Sequence, residues 1–370
     1  MRVLMVGTYP DSVARPSGGV ESAILNLCRG LERTGEVQLS VLSLSQRSEV
    51  QSECFGSIQV HRIPVGPRVG RYRRVRALAA KYARSHCADV VHAQGRAVFL
   101  PKGFPGVLTV HGVMEHAAAL EYSGWRLRAY QRLEVIPEAR ARSKVGNIIS
   151  ISPYVERLLP SSDGPTVWRI PNPVGVHLPP RLTPPQTLRL VYSGVIGRRK
   201  GLLTLVEALG RSSTRLPPFE LKIFGPVREY DYQETCRRAA ESAGISESLT
   251  WMGSRPQEHL WGYLRDATAL VLPSLEETAP MAIAEALSLG VPVIATDVGG
   301  IRDMITDGQA GFVVPAGDES ALSRAIVDLA LDQDQKRFRT NAWLTSRRYS
   351  AESVARETLD CYRQIINSTT

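Results

Sequence analysis

Two carboxylates in the second half of the chain have the residue type and spacing to bind hydroxyl groups beside a phosphate. Glu277 follows an apolar run that reads as a buried strand, and Glu285 lies two turns into the helix predicted after it. The residues at the start of that helix are Thr278, Ala279, Pro280 and Met281. Helix N-termini favour anions, and a carboxylate near a phosphate is costly unless it accepts hydrogen bonds from hydroxyls. Taken alone, the pair also fits a capping acid and a surface helix residue.

A basic loop precedes the first helix of the same half. The stretch SGVIGRRKG places Arg198, Arg199 and Lys200 after a predicted strand. There they could neutralise a diphosphate leaving group. Basic loop residues are often simply solvated, so this loop by itself is only a weak indication.

Two features of the first half point in the same direction. Gly18 and Gly19 stand at the start of the first predicted helix, where missing side chains would let a ligand approach the backbone. His111 ends the strand-like run before Gly112, at the carboxyl end of a predicted strand. A tight turn at the glycines and a structural role for the histidine are the alternatives.

The elements that must position these residues alternate between strands and helices in both halves, which predicts parallel sheets covered on both faces. The proline-rich stretch 173–186 predicts a stiff linker. The predicted fold class is therefore α/β, with two facing doubly wound, Rossmann-like domains over 1–172 and 187–349. We expect the final helix, 350–370, to pack back on the first domain. Ligands bind beyond the carboxyl ends of such sheets, so an interdomain cleft is expected.

The charge of the chain is unevenly distributed. Residues up to Asn172 hold 23 Lys and Arg against 13 Asp and Glu, whereas the remainder holds 22 against 23. The excess suggests that the first half faces an anionic surface. Five scattered cysteines without a CxxC pair suit reduced thiols, and no leader or long apolar run stands out, so we expect a cytoplasmic protein.

The order of these motifs resembles glycosyltransferase family 4, whose members have the GT-B fold and transfer from nucleotide-diphospho-sugars with retention. The resemblance runs nearly end to end, through GGVE, ADVVHA, TVHG, IISISPYV, RIPNPV, the KG at 200–201, IFGP, VLPSLEETAPMAIAEALSLGVPVIATDVGG and DGQAGFVV. Singly these patterns are loose, but their joint order is specific to that family.

The resemblance implies a role for each of these residues. Glu277 is similar to the glutamate that contacts hydroxyls of the donor sugar, and Glu285 to the one that binds the ribose. Lys200 matches the lysine on the diphosphate, and His111 the histidine close to the transferred sugar. The backbone at 278–281 would hold sugar and phosphate, and the glycines at 18–19 would lie against donor phosphates or the acceptor.

One departure from the family pattern concerns the diphosphate. The family usually has an arginine where this chain has Val195, so Arg198 or Arg199 would have to supply that charge. The resemblance implies no metal and no other cofactor, because fixed cations and a helix N-terminus would stabilise the leaving group. It also implies a front-face reaction, in which the departing phosphate helps deprotonate the acceptor hydroxyl.

Other classes of protein would share parts of this sequence pattern. A dinucleotide oxidoreductase should show G-x-G-x-x-G after a strand, and none is present. A phosphorylase-like GT-B enzyme and a non-catalytic relative stay open. The basic half carries no recognised nucleic-acid motif, so we expect no nucleic-acid partner.

The acceptor is expected to be a hydroxyl, with lipid-linked compounds among the candidates. The basic stretch 68–85 reads as an amphipathic helix. We expect it to bring the protein to an anionic membrane, at the inner face of the cell membrane.

Overall fold

The computed structural model describes residues 1–13, 16–45, 49–64, 66, 71–114, 128–159, 164–183, 185 and 187–368. The chain divides into two compact units. Unit 1 comprises Met1–Pro173 and Ala351–Thr370, and unit 2 comprises Val174–Ser350. Each unit is a Rossmann-like α/β structure, as the sequence predicts.

In the described part of unit 1, eight strands form one sheet in the order β3-β4-β2-β1-β5-β6-β7-β8. The strands are β1 (Arg2–Gly7), β2 (Gln38–Ser45), β3 (Gln51–Phe55), β4 (Ile58–Pro64), β5 (Val90–Gln94), β6 (Gly106–Val110), β7 (Asn147–Ser150) and β8 (Thr166–Arg169). All neighbours pair in parallel except β3, which is antiparallel to β4.

The prediction of a wholly parallel sheet is therefore wrong at this edge. Only Gly56 and Ser57 separate β3 from β4, and Gly56 has a φ of +63°, which a tight hairpin turn needs. The short edge strand β8 was also missed. Both strands are short and largely exposed, so neither carries the long apolar run that marks a central strand.

The helices of unit 1 are α1 (Gly19–Thr34), α2 (Arg71–Ser85), α3 (Ile136–Arg142), α4 (Pro153–Arg157) and, from the end of the chain, α11 (Ala351–Asn367). The chain from residue 128 enters α3 through a π-helical turn at Gln131–Val135. The last helix packs against the first, where a Cβ at Gly30 would overlap the carbonyl oxygen of Ala351. A glycine therefore permits this close helix contact.

Unit 2 has one parallel sheet, in the order β11-β10-β9-β12-β13-β14. Its strands are β9 (Leu188–Ser193), β10 (Phe219–Phe224), β11 (Leu249–Gly253), β12 (Ala269–Leu272), β13 (Val293–Thr296) and β14 (Gly311–Val314). Its helices are α5 (Leu202–Ser212), α6 (Tyr230–Ser242), α7 (Gln257–Arg265), α8 (Met281–Ser288), α9 (Glu319–Leu331) and α10 (Gln335–Ser346). Counted within the unit, the strand order is 3-2-1-4-5-6, so the topological switch point lies between β9 and β12.

The proline-rich stretch packs onto unit 2 where the structure describes it. Val174 and Val176 are buried in the core of that unit, and the Val174 N–H donates to the carbonyl of Tyr349. Pro180 lies against Gly290, where an added Cβ would overlap it. Residues 184 and 186 lie outside the described part.

Helix α2 buries its apolar side within unit 1. Val75, Ala79 and Ala83 are buried, and Tyr82 is half-buried. The basic residues on the opposite side are exposed; these are Arg73, Arg76, Lys81 and Arg84. The apolar side is therefore not free to enter a lipid surface. Residues 68–70 of the predicted segment lie outside the described residues.

Where the structure describes the chain, every helix is too short or too polar to cross a membrane.

Candidate functional site

The switch point of unit 2 brings two loops together. One follows β9 and carries a short 3-10 turn at Arg198–Lys200, and the other follows β12 and leads to α8. Strands β9 and β12 are hydrogen-bonded neighbours, with Ala269 opposite Leu190. Residues far apart in the chain, such as Lys200 and Glu277, therefore meet at one edge of the sheet.

Lys200 and Glu277 form an ion pair. The Lys200 Nζ donates to Oε1 of Glu277, and the Ser274 hydroxyl donates to the same oxygen at 2.8 Å. Both charged side chains are mostly enclosed, with 17% of Lys200 and 8% of Glu277 exposed. A mostly enclosed pair has lost much of its hydration, so each charge depends on its partner. A carboxylate has acceptor capacity on both of its oxygens, so Glu277 can accept further hydrogen bonds.

Close backbone contacts fix these loops. Gly201 has a φ of +65°, and a Cβ there would overlap the carbonyl oxygen of Pro273. Gly299 has a φ of +58°, and a Cβ there would overlap the carbonyl oxygen of Glu277. The N–H of Leu275 also donates to the carbonyl of Arg199, at 2.8 Å. The loop with Glu277 is thus held from both sides.

The two arginines before Lys200 point to different partners. The Arg199 guanidinium lies 3.4 Å from Glu276, next to Glu277 in the chain. Arg198 pairs with Glu229 at 3.2 Å and leaves 71% of its side chain exposed. Of the two, Arg199 therefore stands beside the loop that carries Glu277.

Glu285 is buried, so the alternative that it is a surface helix residue is wrong. Only 4% of the residue is exposed, and the Gln257 amide from α7 donates to its Oε1. Burial raises the pKa of Glu285 to about 7, although the Gln257 amide and the nearby Trp261 side chain oppose the shift. A buried carboxyl near neutrality would gain from further donors such as hydroxyls.

The start of α8 lies between the two glutamates. Pro280 is the N-cap residue, and no side chain caps the helix there. Thr278, Ala279 and Met281 are half-buried around it. The helix end therefore offers backbone N–H groups and a partial positive charge beside Glu277.

In unit 1, His111 directly follows β6. Its Nε2 donates to Oε1 of Gln94, the last residue of the neighbouring strand β5, at 2.8 Å. Burial lowers the pKa of His111 to about 4, while the nearby Asn172 side chain opposes the shift. The ring is therefore neutral near pH 7 and acts as a hydrogen-bonding group rather than a cation.

The glycine pair of unit 1 stands at the start of α1. Gly18 is the N-cap residue of α1 in an extended conformation that any residue adopts, and a Cβ there would meet no described atom within 4 Å. Gly19 begins α1. Among the described residues, neither backbone strain nor packing requires a glycine at position 18.

Sequence reasoning missed several residues that hold this site. In unit 2, Ser274 and Gln257 contact the two glutamates. In unit 1 taken by itself, the fully buried Arg62 donates to the carbonyls of Tyr9 and Pro10, at 3.2 and 2.9 Å. Ser274 lies three residues before Glu277, which is the one local signal. The other contacts join distant segments, and no pattern in the sequence marks them.

Among the described residues, no three His, Cys, Asp or Glu side chains lie close enough together to hold a metal ion. Asp332 and Asp334 lie before α10, and the Asp334 side chain accepts a hydrogen bond from the Arg337 N–H at 3.1 Å. Asp334 therefore caps this helix.

Two family models match adjacent parts of the chain. The model described as Glycosyltransferase Family 4 matches residues 17–177. The model described as Glycosyl transferases group 1 matches residues 179–343. The first includes the glycine pair and His111, and the second includes Lys200, Glu277 and Glu285.

The chain is also similar to a curated protein. The D-inositol 3-phosphate glycosyltransferase of Corynebacterium urealyticum is 28% identical over 179 residues, which cover 47% of this chain and 42% of that protein. The chain thus spans less than half the length of this relative.

Solved structures match over nearly the whole length. The sucrose-phosphate synthase from Thermosynechococcus elongatus has a TM-score of 0.78 at 18% identity, with both chains fully covered. HepE of Anabaena, solved in complex with UDP, has a TM-score of 0.73 at 16% identity, covering 98% of this chain and 100% of that one. At such identities the likeness establishes the fold alone.

The raised pKa of Glu285 predicts how stability depends on pH. The folded state holds a proton that the unfolded chain loses above its ordinary pKa of 4.5, so stability should fall as pH rises from there to about 7. Glu285→Gln cannot ionise and should escape this loss. From pH 5 to pH 8, we expect the variant to gain roughly 5 °C in melting temperature relative to wild type.

The control for this measurement is Glu241→Gln, at an exposed position on α6. It should follow the wild-type curve. If the melting temperature of Glu285→Gln follows the same pH dependence as that of wild type across this range, the assignment of a buried carboxyl with a raised pKa is wrong.

Proposed function

Because this chain is a glycosyltransferase of family 4 with the GT-B fold, we propose that it moves a sugar from a nucleotide-diphospho-sugar to an acceptor hydroxyl with retention of configuration. The observation that carries the proposal is the Lys200–Glu277 pair at the switch point of unit 2. A cation and a carboxylate side by side suit a ligand with a diphosphate next to hydroxyls.

The proposed donor contacts follow from the chemistry of the two loops. Lys200 turns from Glu277 to the diphosphate when the donor binds, and Arg199 adds a second positive charge. Glu277 then accepts hydrogen bonds from sugar hydroxyls, held in place by Ser274. The N-terminus of α8 faces the same charge, so the leaving diphosphate is stabilised without a metal ion.

The nucleoside part of the donor is assigned to Glu285. Its buried carboxyl accepts from the two ribose hydroxyls, an arrangement that favours the ionised form and lowers the raised pKa. Support comes from HepE, a relative of the same fold that binds UDP. A uridine diphosphate donor is therefore the first to test.

Retention is proposed to follow a front-face path. The bond between the sugar C1 and the diphosphate oxygen breaks, and the acceptor oxygen bonds to C1 on the same face. The acceptor proton passes to the departing phosphate. His111 is proposed to contact the transferred sugar as a neutral hydrogen-bonding ring.

The acceptor is proposed to be a membrane-bound hydroxyl compound, reached by association with the inner face of the cell membrane. The exposed basic side of α2 supports this, because the helix itself contains no Asp or Glu. Since the apolar side of α2 is buried in unit 1, the attraction is electrostatic.

Substitution of the two glutamates should affect different kinetic constants. Glu277→Ala should lower kcat more than it raises the KM of the donor, because sugar contacts matter most in the transition state. Glu285→Ala should mainly weaken donor binding, by at least about tenfold for a lost charged hydrogen bond. The assay is nucleotide release with and without acceptor, using the best donor of a screen. Wild-type kinetics in both variants would refute the assignment, and acceptor-independent release would favour hydrolysis.

The second prediction ranks the cations. Lys200→Ala should lower kcat/KM by about 100-fold, comparable to removing one preorganised donor of a transition-state charge. Arg199→Ala should cost more than Arg198→Ala, which serves as the matched control on the same turn. Activity should persist in EDTA. A kcat/KM for Lys200→Ala within threefold of wild type, or a strict metal requirement, would count against the mechanism.

The third prediction concerns the basic side of α2. Wild-type protein should sediment with anionic liposomes at low salt but not at high salt, and not with neutral liposomes, since each basic residue near the surface contributes about 1 kcal/mol. Replacing the four exposed basic residues of α2 by Gln should abolish sedimentation. The control makes the same charge change in unit 2, at Arg215, Arg238, Arg324 and Lys336. Equal pelleting of both variants, or none by wild type, would refute this role of α2.

A further inference from the structure

A chain of buried polar side chains connects the C-terminal helix to His111. The hydroxyl of Tyr362 on α11 lies 2.6 Å from Nδ1 of His92, in the middle of β5. The Nε2 of His92 lies 3.1 Å from the Gln94 amide nitrogen, and the Gln94 Oε1 accepts from His111 at 2.8 Å. Tyr362 and His92 are completely enclosed, and Gln94 is 5% exposed. These contacts lie within unit 1.

The chemistry of the groups gives the chain one direction. A carboxamide oxygen only accepts, so the proton of the neutral His111 ring is on Nε2. A carboxamide nitrogen only donates, so Nε2 of His92 is an acceptor, which also takes the hydroxyl proton of Thr109 at 2.6 Å. The proton of His92 is then on Nδ1 and is donated to Tyr362.

Packing supports this orientation of Gln94. Its amide nitrogen also faces the sulfur of Met5, a weak acceptor, at 3.9 Å. A Cβ at Gly7 would lie 2.8 Å from Cβ of Gln94, so a glycine in β1 leaves room for the side chain.

Burial lowers the pKa of His92 to about 3, so both rings stay neutral, each with one donor and one acceptor nitrogen.

We propose that Tyr362 is a positioning residue that determines, through His92 and Gln94, which ring nitrogen of His111 carries the proton. The kinetic part of this inference rests on the proposed function, in which His111 contacts the transferred sugar. The tautomer itself does not depend on that function.

Tyr362→Phe tests the hydroxyl without disturbing the ring. The phenyl group keeps the edge-on contact with His92, whose ring centroid lies 5.6 Å away. Without the hydroxyl, Nδ1–H of His92 loses its acceptor, and the proton moves to Nε2, where Thr109 accepts it. The Gln94 amide then turns over and donates to His111, whose proton moves to Nδ1. Donor and acceptor on the His111 ring are thereby exchanged.

The experiment uses nitrogen-15 spectra of histidine-labelled full-length protein, with His92 and His111 assigned by single substitutions among the seven histidines. Wild type should show His111 protonated on Nε2, and Tyr362→Phe should show it on Nδ1. We expect kcat to fall about tenfold, as for other residues that orient a functional histidine. The donor KM should change less than twofold. Tyr349→Phe, which removes a buried hydroxyl bonded to Arg348 in unit 2, is the matched control and should change neither.

Thermal unfolding separates positioning from stability. If Tyr362 only supported the fold, Tyr362→Phe would lower the melting temperature without moving the His111 proton from Nε2.

An unchanged His111 tautomer in Tyr362→Phe overturns the proposal. So does a changed tautomer with unaltered kcat, because Tyr362 would then orient nothing that the reaction uses. If the wild-type chain transfers no sugar at all, the proposed function fails instead, and the spectra still decide the proton position.

Discussion

The charge balance between Lys200 and Glu277 is the interaction on which the rest of the donor unit depends. In the proposed function, Glu277 accepts from sugar hydroxyls, and this carboxylate would repel an adjoining diphosphate unless a cation compensated it. The two residues are 77 positions apart and meet only because β9 and β12 are neighbours in the sheet. The parallel order of unit 2 is therefore what makes this site, and the glycines and hydrogen bonds around it serve to keep it in place.

Close backbone contacts fix the loops of the site, and its buried carboxyl lowers the stability of the folded protein. Gly201 and Gly299 allow backbone contacts that no other residue would permit, so the loops are held before any ligand binds. Glu285 is buried with few partners, and its pKa is raised accordingly. Preorganised charge of this kind stabilises a transition state effectively, but it destabilises the empty fold. In unit 1, the neutral His111 is held by hydrogen bonds rather than by charge.

The sequence predicted the parts of this molecule that repeat a local pattern. Apolar runs mark the central strands, and the loops that follow β9, β12 and β6 carry the candidate residues Lys200, Glu277 and His111. The antiparallel edge strand β3 was missed because its exposed residues show no apolar run. Gln257 and Tyr362 could not be predicted, since each contacts its partner across a long stretch of chain and no local spacing marks such a contact.

The central claim is that unit 2 binds a nucleotide-diphospho-sugar between Lys200 and Glu285. The most direct test is thermal unfolding of the wild-type chain with a panel of UDP- and GDP-linked sugars, beside a Lys200→Ala/Glu285→Ala variant. A bound donor stabilises the fold by mass action, by about 2.7 kcal/mol at a hundredfold excess over Kd. We predict a clear rise in melting temperature with at least one donor, and no rise in the variant. No rise with any donor, or an equal rise in the variant, would contradict the account.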